Sequence, residues 1–304
     1  MRLWYQSPAE DWNSALPLGN GKLGAMVFGG PVAERIQLNE DSVWSGGFRD
    51  RVNPDCKNNL PEIRRLLREG DIAQAENLAT LAMAGTPEFE RMYQTLGDIY
   101  LTMENQAGEV EHYTRQLDLD NALCTVSYTS GGVDYTREAY ISAPHNVMVV
   151  RLGSGGKGGV SFQVRMHRGR YTDGTFQDKE QNAIYYTGGE GIRFCSMLRA
   201  SAVGGTVEVV GEYLVVKNAD QATLTWTAAT TYRVEDPVEE CRRVLDAASL
   251  PERELWQAHL QDYQALYNRA RLTLAADSAL EVLPTDARLA RVQNGEEDLG
   301  LVAL

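Results

Sequence analysis

Two short stretches of the sequence combine residue types that could bind a sugar. Residues 38–47 read LNEDSVWSGG, and residues 91–98 read RMYQTLGD. Sugar sites pair an aromatic face, which packs on the CH groups of the ring, with amides and carboxylates that bind hydroxyls. The same residue types are also typical of a strand end with Asx turns and a packed tryptophan. Residue types alone favour the strand end, and a sugar-contacting role stays open.

Glycoside hydrolysis usually needs two carboxyl groups that flank the scissile bond. The chain has 42 Asp and Glu residues, and no spacing singles out a pair. Glu40 and Asp41 are adjacent, so on a strand their side chains would point to opposite faces. We therefore expect no catalytic pair there and assign no catalytic residue to this chain.

Other motifs of catalysis or cofactor binding are missing or stand in the wrong context. Residues 19–24, GNGKLG, match the GxGxxG pattern, but a dinucleotide site needs a strand before it and a helix after it. Here Pro17 precedes the motif and the strand-like residues 25–30 follow, which predicts a tight turn into a strand. No metal-ligand spacing relates the four histidines, His112, His145, His167 and His259. We expect no metal and no cofactor.

Composition narrows the class of partner. The net charge is −13 and the pI is about 4.9, whereas nucleic-acid binding requires a basic face. Neutral sugars suit this charge. No apolar stretch reaches transmembrane length, and the N-terminal residues lack the apolar run of a signal peptide. We expect a cytoplasmic protein that contacts neither membrane nor nucleic acid, with its four scattered cysteines reduced.

Strands dominate from Lys22 to about Thr231. Residues 160–167 alternate apolar and polar side chains, which indicates a strand with one buried face. Residues 206–217 form a hairpin pattern around Gly211. The apolar run 146–152 is consistent with a strand covered on both sides. Many short strands with Gly-rich turns predict an antiparallel sandwich or barrel.

Helical patterns interrupt and then follow the strands. An insertion from Asn53 to Ala84 predicts two short helices, the first starting at Asn53-Pro54. After a boundary near Arg233, Asp236-Pro237 predicts a helix start, and residues 249–252, SLPE, read as a capping box for the next helix.

The second of these later helices should bury an apolar stripe spaced at i, i+4, i+7 and i+11. The stripe comprises Trp256, Leu260, Tyr263 and Tyr267. A further helix is predicted over 285–292. The chain then stops on Leu301–Leu304, four apolar residues that must pack either on the sheet or on a further domain.

Several of these segments closely resemble glycoside hydrolase family 95. The resemblance covers essentially the whole chain, and its most specific parts are residues 12–28, WNSALPLGNGKLGAMVF, and 36–47, IQLNEDSVWSGG. It continues through residues 93–98, YQTLGD, where the family usually has Pro in place of Thr95. Members are α-L-fucosidases, with related α-L-galactosidase activity.

The resemblance implies a mainly β fold. The expected architecture is an antiparallel, galactose-mutarotase-like super-sandwich with a short helical insertion at residues 1–233, then a helical linker at 234–283. Residues 284–304 would begin an (α/α)6 catalytic barrel that this chain otherwise lacks, and that would explain the apolar end.

The resemblance also implies an inverting hydrolase whose Glu general acid and Asn- and Asp-activated water belong to the barrel. This chain would be inactive by itself, and its partners would be that barrel and, through the parent enzyme, a fucosylated oligosaccharide. Its surface without the barrel should favour self-association. Candidate pocket-wall or interface positions are Asn39, Glu40, Trp44, Tyr93 and Gln94.

Two other functions stay open. The chain could be a stand-alone carbohydrate-binding or interaction module that binds fucosylated glycan without cleaving it. It could also belong to an α-L-galactosidase, or to another glycosidase or phosphorylase with the same N-terminal domain.

Overall fold

A computed structural model describes residues 1–104, 106, 108–169, 172–272, 274 and 278–303. The chain divides into two compact units. The first comprises Met1–Val43, Thr95–Gly189 and Arg193–Leu304, and the second comprises Trp44–Gln94 and Glu190–Ile192.

The first unit contains two antiparallel sheets. Their strands are Arg2–Tyr5 (β1), Leu16–Gly19 (β2), Leu23–Val27 (β3), Ala33–Glu40 (β4), Gly97–Met103 (β5), Val110–Asp118 (β6), Leu123–Ser130 (β7), Val133–Ser142 (β8), Val147–Ser154 (β9), Val160–His167 (β10), Gly174–Asp178 (β11), Ala183–Gly188 (β12), Phe194–Val203 (β13), Thr206–Val210 (β14), Tyr213–Ala219 (β15) and Gln221–Thr230 (β16). The nine-stranded sheet has the order β1-β6-β7-β8-β9-β16-β13-β12-β11. The seven-stranded sheet has the order β14-β15-β10-β5-β4-β3-β2. The predicted antiparallel sandwich is confirmed.

The helices are Cys56–Glu69 (α1), Ile72–Met83 (α2), Pro237–Ala247 (α3), Glu252–Tyr267 (α4), Thr285–Gln293 (α5) and Leu299–Ala303 (α6), with a 3-10 turn at Ser278–Val282. Helices α1 and α2 belong to the second unit, and the others belong to the first. Within the part of the chain that the structure describes, no helix combines the length and apolar character needed to cross a membrane.

The main core lies between the two sheets, and a second core lies on the outer face of the larger sheet. Strand β9 contributes side chains to both cores. Met148 and Val150 point into the main core, whereas Val147 and Val149 pack with α3 and α4. The prediction of a strand covered on both sides is therefore confirmed, and its reason is that helices close the outer face of the larger sheet.

The GxGxxG motif forms the predicted turn. Residues 19–24 join β2 to β3, and the Asn20 side-chain oxygen accepts hydrogen bonds from the backbone N–H groups of Lys22 and Leu23. Pro17 is tolerated because β2 is an edge strand.

The start of α3 is as predicted, and the start of α4 is not. The Asp236 carboxylate accepts hydrogen bonds from the backbone N–H groups of Val238 and Glu239. The predicted capping box at 249–252 is wrong, because the Ser249 hydroxyl donates back to the carbonyl of Leu245 in α3. Helix α4 therefore begins after Pro251 without a side-chain cap.

The buried stripe of α4 is displaced by one position from the prediction. The fully buried residues are Leu255 and His259, whereas Trp256 and Tyr263 are only half-buried. His259 stacks on Trp256 and Tyr263, and its Nε2 lies 2.9 Å from the carbonyl oxygen of Asn121. Burial lowers the pKa of His259. His259 therefore works as an aromatic packing residue.

In the second unit, α1 begins later than predicted. Asn53 and Pro54 form a turn in which the Asn53 side chain accepts a hydrogen bond from the backbone N–H of Asp55, and α1 starts at Cys56. Helix α2 follows Asp71, whose carboxylate accepts from the backbone N–H of Gln74. It ends at Met83, one residue before the predicted end at Ala84. All four cysteines are free thiols.

The C-terminal part of the first unit is tied together by an ion pair. Arg288 on α5 donates two hydrogen bonds to the Asp298 carboxylate, both of 2.7 Å, and Asp298 also accepts from the backbone N–H of Leu301 in α6. Leu304, the last of the four terminal apolar residues, lies outside the described residues.

Candidate functional site

Glu40 lies at the end of β4 with its side chain turned inward. Along β4 the residues alternate between buried and half-buried, and Glu40 is the last of the buried set, with 3% of its surface exposed. Its carboxylate accepts hydrogen bonds from the backbone N–H and the hydroxyl of Ser42, both at 2.8 Å. The last residue of β4 is therefore hydrogen-bonded to the turn that follows it.

Arg233, far away in sequence, completes this cluster. One guanidinium nitrogen donates to Glu40 at 2.7 Å, and two nitrogens hold Asp41 at 2.8 and 2.7 Å. The Ser42 hydroxyl also lies 2.6 Å from the hydroxyl of Thr230 at the end of β16. The strand β4 stops at Glu40 and the chain turns at Asp41, so the rule that neighbouring strand residues face opposite ways does not apply to this pair.

The cluster has the electrostatics of a structural clamp. Burial raises the pKa of Glu40, and the hydrogen bonds from Ser42 and the charge of Arg233 oppose that rise. Hydrogen bonding to Arg233 lowers the pKa of Asp41. Both carboxylates accept hydrogen bonds from one guanidinium. The arrangement ties β4 to the chain beyond β16.

A small cavity of about 150 Å³ adjoins Glu40 and Arg233. Its lining includes Lys22, Asn146 and Thr227. This volume is well below that of pockets that hold drug-sized ligands, roughly 300–1,000 Å³. In the described ranges, no three His, Cys, Asp or Glu side chains come together in a way that could hold a metal ion.

Asn39 occupies the other face of β4. It pairs with Gly24 on β3, and a Cβ added to Gly24 would lie 3.5 Å from the Cβ of Asn39. Asn39 is half-buried. Asn39 and Glu40 are therefore neighbours in sequence whose side chains leave the seven-stranded sheet on opposite sides.

Trp44, Tyr93 and Gln94 belong to the second unit. Trp44 and Tyr93 form an isolated antiparallel bridge, and their rings meet edge to face with centroids 5.2 Å apart. Next to them, the backbone N–H of Ser45 donates to the carbonyl of Met92. The two sequence stretches that contain the candidates thus meet here, with Trp44 and Gln94 half-buried and Tyr93 exposed.

Sequence reasoning missed Arg233 and Thr230. Nothing local marks Arg233, since it lies in a short link between β16 and α3, where a domain boundary was expected. An unexplained buried carboxylate at position 40 could have indicated a distant cation, because buried charges are paired. The identity of that cation depends on the sheet order, which sequence patterns do not specify.

Two antiparallel sheets, with helices on the outer face of the larger one, make the first unit a β-sandwich. A solved structure, a putative kojibiose phosphorylase from human microbiome, matches with a TM-score of 0.52 and 11% sequence identity, over 88% of this chain and 38% of that one. That likeness concerns the fold alone. The family model "Glycosyl hydrolase family 65, N-terminal domain" matches residues 3–235, and the chain belongs to that family.

Residues 251–304 match the family model "Glycosyl hydrolase family 95 catalytic domain". The chain is 31% identical, over its whole length, to Alpha-L-fucosidase 2 of Arabidopsis thaliana, and it covers 40% of that protein. It is 27% identical to Probable alpha-fucosidase A of Aspergillus oryzae over 90% of its own length and 41% of that protein. The resemblance to family 95 is confirmed, and the chain spans about two fifths of these relatives.

Proposed function

We propose that this chain is the N-terminal part of an inverting α-L-fucosidase-like glycoside hydrolase that acts on fucosylated glycans. The observation that carries the proposal is the 31% identity to a plant protein named as an α-L-fucosidase, which extends over the whole of this chain. The match of residues 251–304 to a family 95 catalytic domain supports it, since a hydrolytic domain would begin within this chain.

In this proposal the chain by itself does not cleave glycosides. Hydrolysis needs an acid and a base on either side of the bond, and the buried carboxylate Glu40 is held by Arg233 and Ser42. The proposed domains are residues 1–233 as the sandwich, 234–283 as the linker and 284–304 as the start of the catalytic barrel. A cytoplasmic location stays a prediction, which fractionation of the source cells would test.

The test is to compare this chain with its complete gene product. Release of 4-nitrophenol from the α-L-fucoside should be absent with residues 1–304 and present with the complete protein. Release from the α-L-galactoside by the complete protein, with none from the fucoside, would favour the galactosidase alternative. Turnover by the 304-residue chain would contradict the proposal that this chain by itself does not cleave glycosides.

The five candidate positions stay a proposal. We propose that Trp44, Tyr93 and Gln94, on the second unit, line the sugar pocket or contact the catalytic domain. We make the same proposal separately for Asn39 and for Glu40, which lie on opposite faces of β4 in the first unit. In the complete protein, Trp44→Ala should raise KM or lower kcat, because an aromatic contact with sugar or barrel is lost. Phe176→Ala, which removes an exposed ring on β11, is the matched control. Unchanged kinetics of Trp44→Ala at unchanged stability would contradict the assignment.

A further inference from the structure

A large cavity lies between the first strand of the nine-stranded sheet and the last helices of the chain. Its volume is about 820 Å³. One wall is formed by β1 and the neighbouring β6, and it includes Arg2, Trp4 and Gln116. The opposite wall is formed by described residues between Arg271 and Ala303. Both walls belong to the first unit, so the cavity is a feature of that unit alone.

The unpaired edge of β1 borders this cavity. Strand β1 is the outermost strand of its sheet, and proteins usually cover such an edge because its backbone groups can pair with another chain. Helix α5 covers one point of it, where the backbone N–H of Trp4 donates a 2.9 Å hydrogen bond to the hydroxyl oxygen of Thr285. Arg2, two residues earlier in the strand, is exposed. The C-terminal helices therefore cover β1 only in part.

The elements around the cavity expose large apolar side chains. Val282 in the 3-10 turn and Val302 in α6 are 71% and 67% exposed, and Leu289 in α5 and Leu299 in α6 are 50% and 46% exposed. Helix α6 contacts both α5 and the 3-10 turn, so these side chains stand on one connected group of elements. Apolar residues that are grouped in this way, rather than scattered singly, mark an interaction surface.

The family 95 match selects the partner for this surface. It covers residues 251–304 and therefore includes α5 and α6, while the chain covers only 40% of its plant relative. Helices of one domain bury their apolar faces against one another, so these helices require the remainder of the same domain. A small ligand in the cavity would leave Val282, Leu289 and Val302 in solvent, because they do not line it.

We propose that β1, α5, α6 and the 3-10 turn form a docking surface for the remainder of the family 95 catalytic domain, which fills the cavity and contacts the sandwich at Arg2. The inference rests on the proposed function, because it takes the complete protein to contain that domain. The cavity offers both signs of charge, with Arg2 and Arg271 against Asp120 and Glu281. The exposed apolar side chains add hydrophobic contact. The sandwich is then a fixed support of the catalytic domain rather than a module on a flexible tether.

Thiol labelling of the complete protein and of the 304-residue chain tests the proposal. Arg2→Cys reports on the sandwich wall and Val302→Cys on the helices, each in a Cys56→Ser background because the other three cysteines are buried. Mass spectrometry of the labelled peptide gives the rate at each position. In the dilute 304-residue chain both thiols should react with a maleimide as exposed thiols do. In the complete protein both should react about tenfold more slowly, because the docked domain covers them.

Val203→Cys is the matched control, because Val203 is 63% exposed on β13 and does not line the cavity. It should react at the same rate in both proteins. Equal rates for Arg2→Cys in the two proteins would overturn the proposal even if Val302→Cys is protected, since the catalytic domain would then cover its own helices without touching the sandwich. Slow labelling of Arg2→Cys in the 304-residue chain that dilution relieves would also overturn it, because the occupant would be a second copy of the chain.

Unfolding midpoints give a second test that does not depend on labelling. Val282→Ser and Val302→Ser should lower the midpoint of the complete protein and leave that of the 304-residue chain unchanged, because docking buries side chains that are exposed in the shorter chain. An unchanged midpoint of the complete protein would contradict the docking. Neither test needs turnover. Protection without release of 4-nitrophenol from the fucoside would contradict the proposed function alone, and release without protection would contradict the docking alone.

Discussion

Arg233 is the side chain on which the cluster at the end of β4 depends. It is the cation for both Glu40 and Asp41, and it joins them to the residues that follow β16. Because Glu40 is buried, its carboxylate has no solvent to replace a lost partner. Removal of Arg233 should therefore affect the folded state more than removal of an exposed arginine.

We expect Arg233→Met to lower the free energy of unfolding by about 1–3 kcal/mol, the usual cost of leaving one buried polar group without its partner. Urea denaturation, with the midpoint and slope compared to the native chain, measures this. Arg243→Met is the control, since it breaks only the exposed pair with Glu240 on α3 and should have no measurable effect. Equal midpoints for Arg233→Met and the native chain would contradict the claim that Arg233 stabilises the fold through Glu40 and Asp41.

Asp298 should give the chain a defined acid-sensitive contribution to stability. Its hydrogen bonds with Arg288 lower its pKa from 3.8 to about 2. A carboxyl whose pKa is lowered in the folded state stabilises that state above the unfolded pKa, and the stabilisation is lost as the pH falls toward the folded pKa. The contribution should therefore disappear between about pH 4 and pH 2.

Asp298→Asn tests this expectation, because the amide resembles the protonated acid. Its deficit in unfolding free energy relative to the native chain should be constant above about pH 5 and shrink toward zero near pH 2. Asp173→Asn, at an exposed position, should track the native chain at every pH. A deficit for Asp298→Asn that does not change with pH would refute the role of its charge.

At the scale of the elements, α3 and α4 differ in how they begin, since α3 has a side-chain cap and α4 has none. Asp236 caps α3 through two backbone N–H groups, whereas Ser249 bonds to the last turn of α3 rather than to α4. We expect Asp236→Ala to cost about 0.5–2 kcal/mol of stability. Ser249→Ala should cost less, and thermal unfolding of both variants measures the difference. The reverse order would contradict the assigned caps.

These helices also show what local sequence determines. The Asp-Pro signal located the start of α3, and the period of 3.6 residues indicated that α4 is helical, because both signals depend on neighbouring residues. The sequence could not say which side of α4 is buried, since Trp256 and Leu255 are both apolar and the choice depends on Tyr140 and Cys195 in distant strands. The buried His259 is the consequence, since the stripe includes it only in the observed orientation.

The site was predicted less completely than the fold. Residues 38–47 and 91–98 were singled out from the sequence, and the bridge between Trp44 and Tyr93 brings the two stretches together. Their roles could not be assigned from the sequence, because the environment of Glu40 includes Arg233, which is distant in the chain. That contact depends on how β4 and β16 end, which is a property of the whole sandwich.

At the scale of the whole molecule, the two units differ in how they cover apolar side chains. The first unit buries most of its apolar residues in two extended cores and leaves others, such as Val203, exposed at scattered positions. The second unit leaves several large apolar side chains in solvent, and Phe48 is 96% exposed. The others are Val52, Leu81, Phe89 and Met92. Exposed apolar surface of this kind marks an interaction site or a tendency to aggregate.

We therefore expect the 304-residue chain to self-associate through the second unit. Light scattering and sedimentation should show a mass that rises with concentration. Phe48→Ser combined with Phe89→Ser should restore a monomer, because each substitution removes an exposed ring without touching the cores. Val203→Ser, at an exposed position on β13 of the first unit, should leave the association unchanged. A native chain that stays monomeric at the highest concentration reached would contradict this expectation, and association that survives the double variant would place the contact elsewhere.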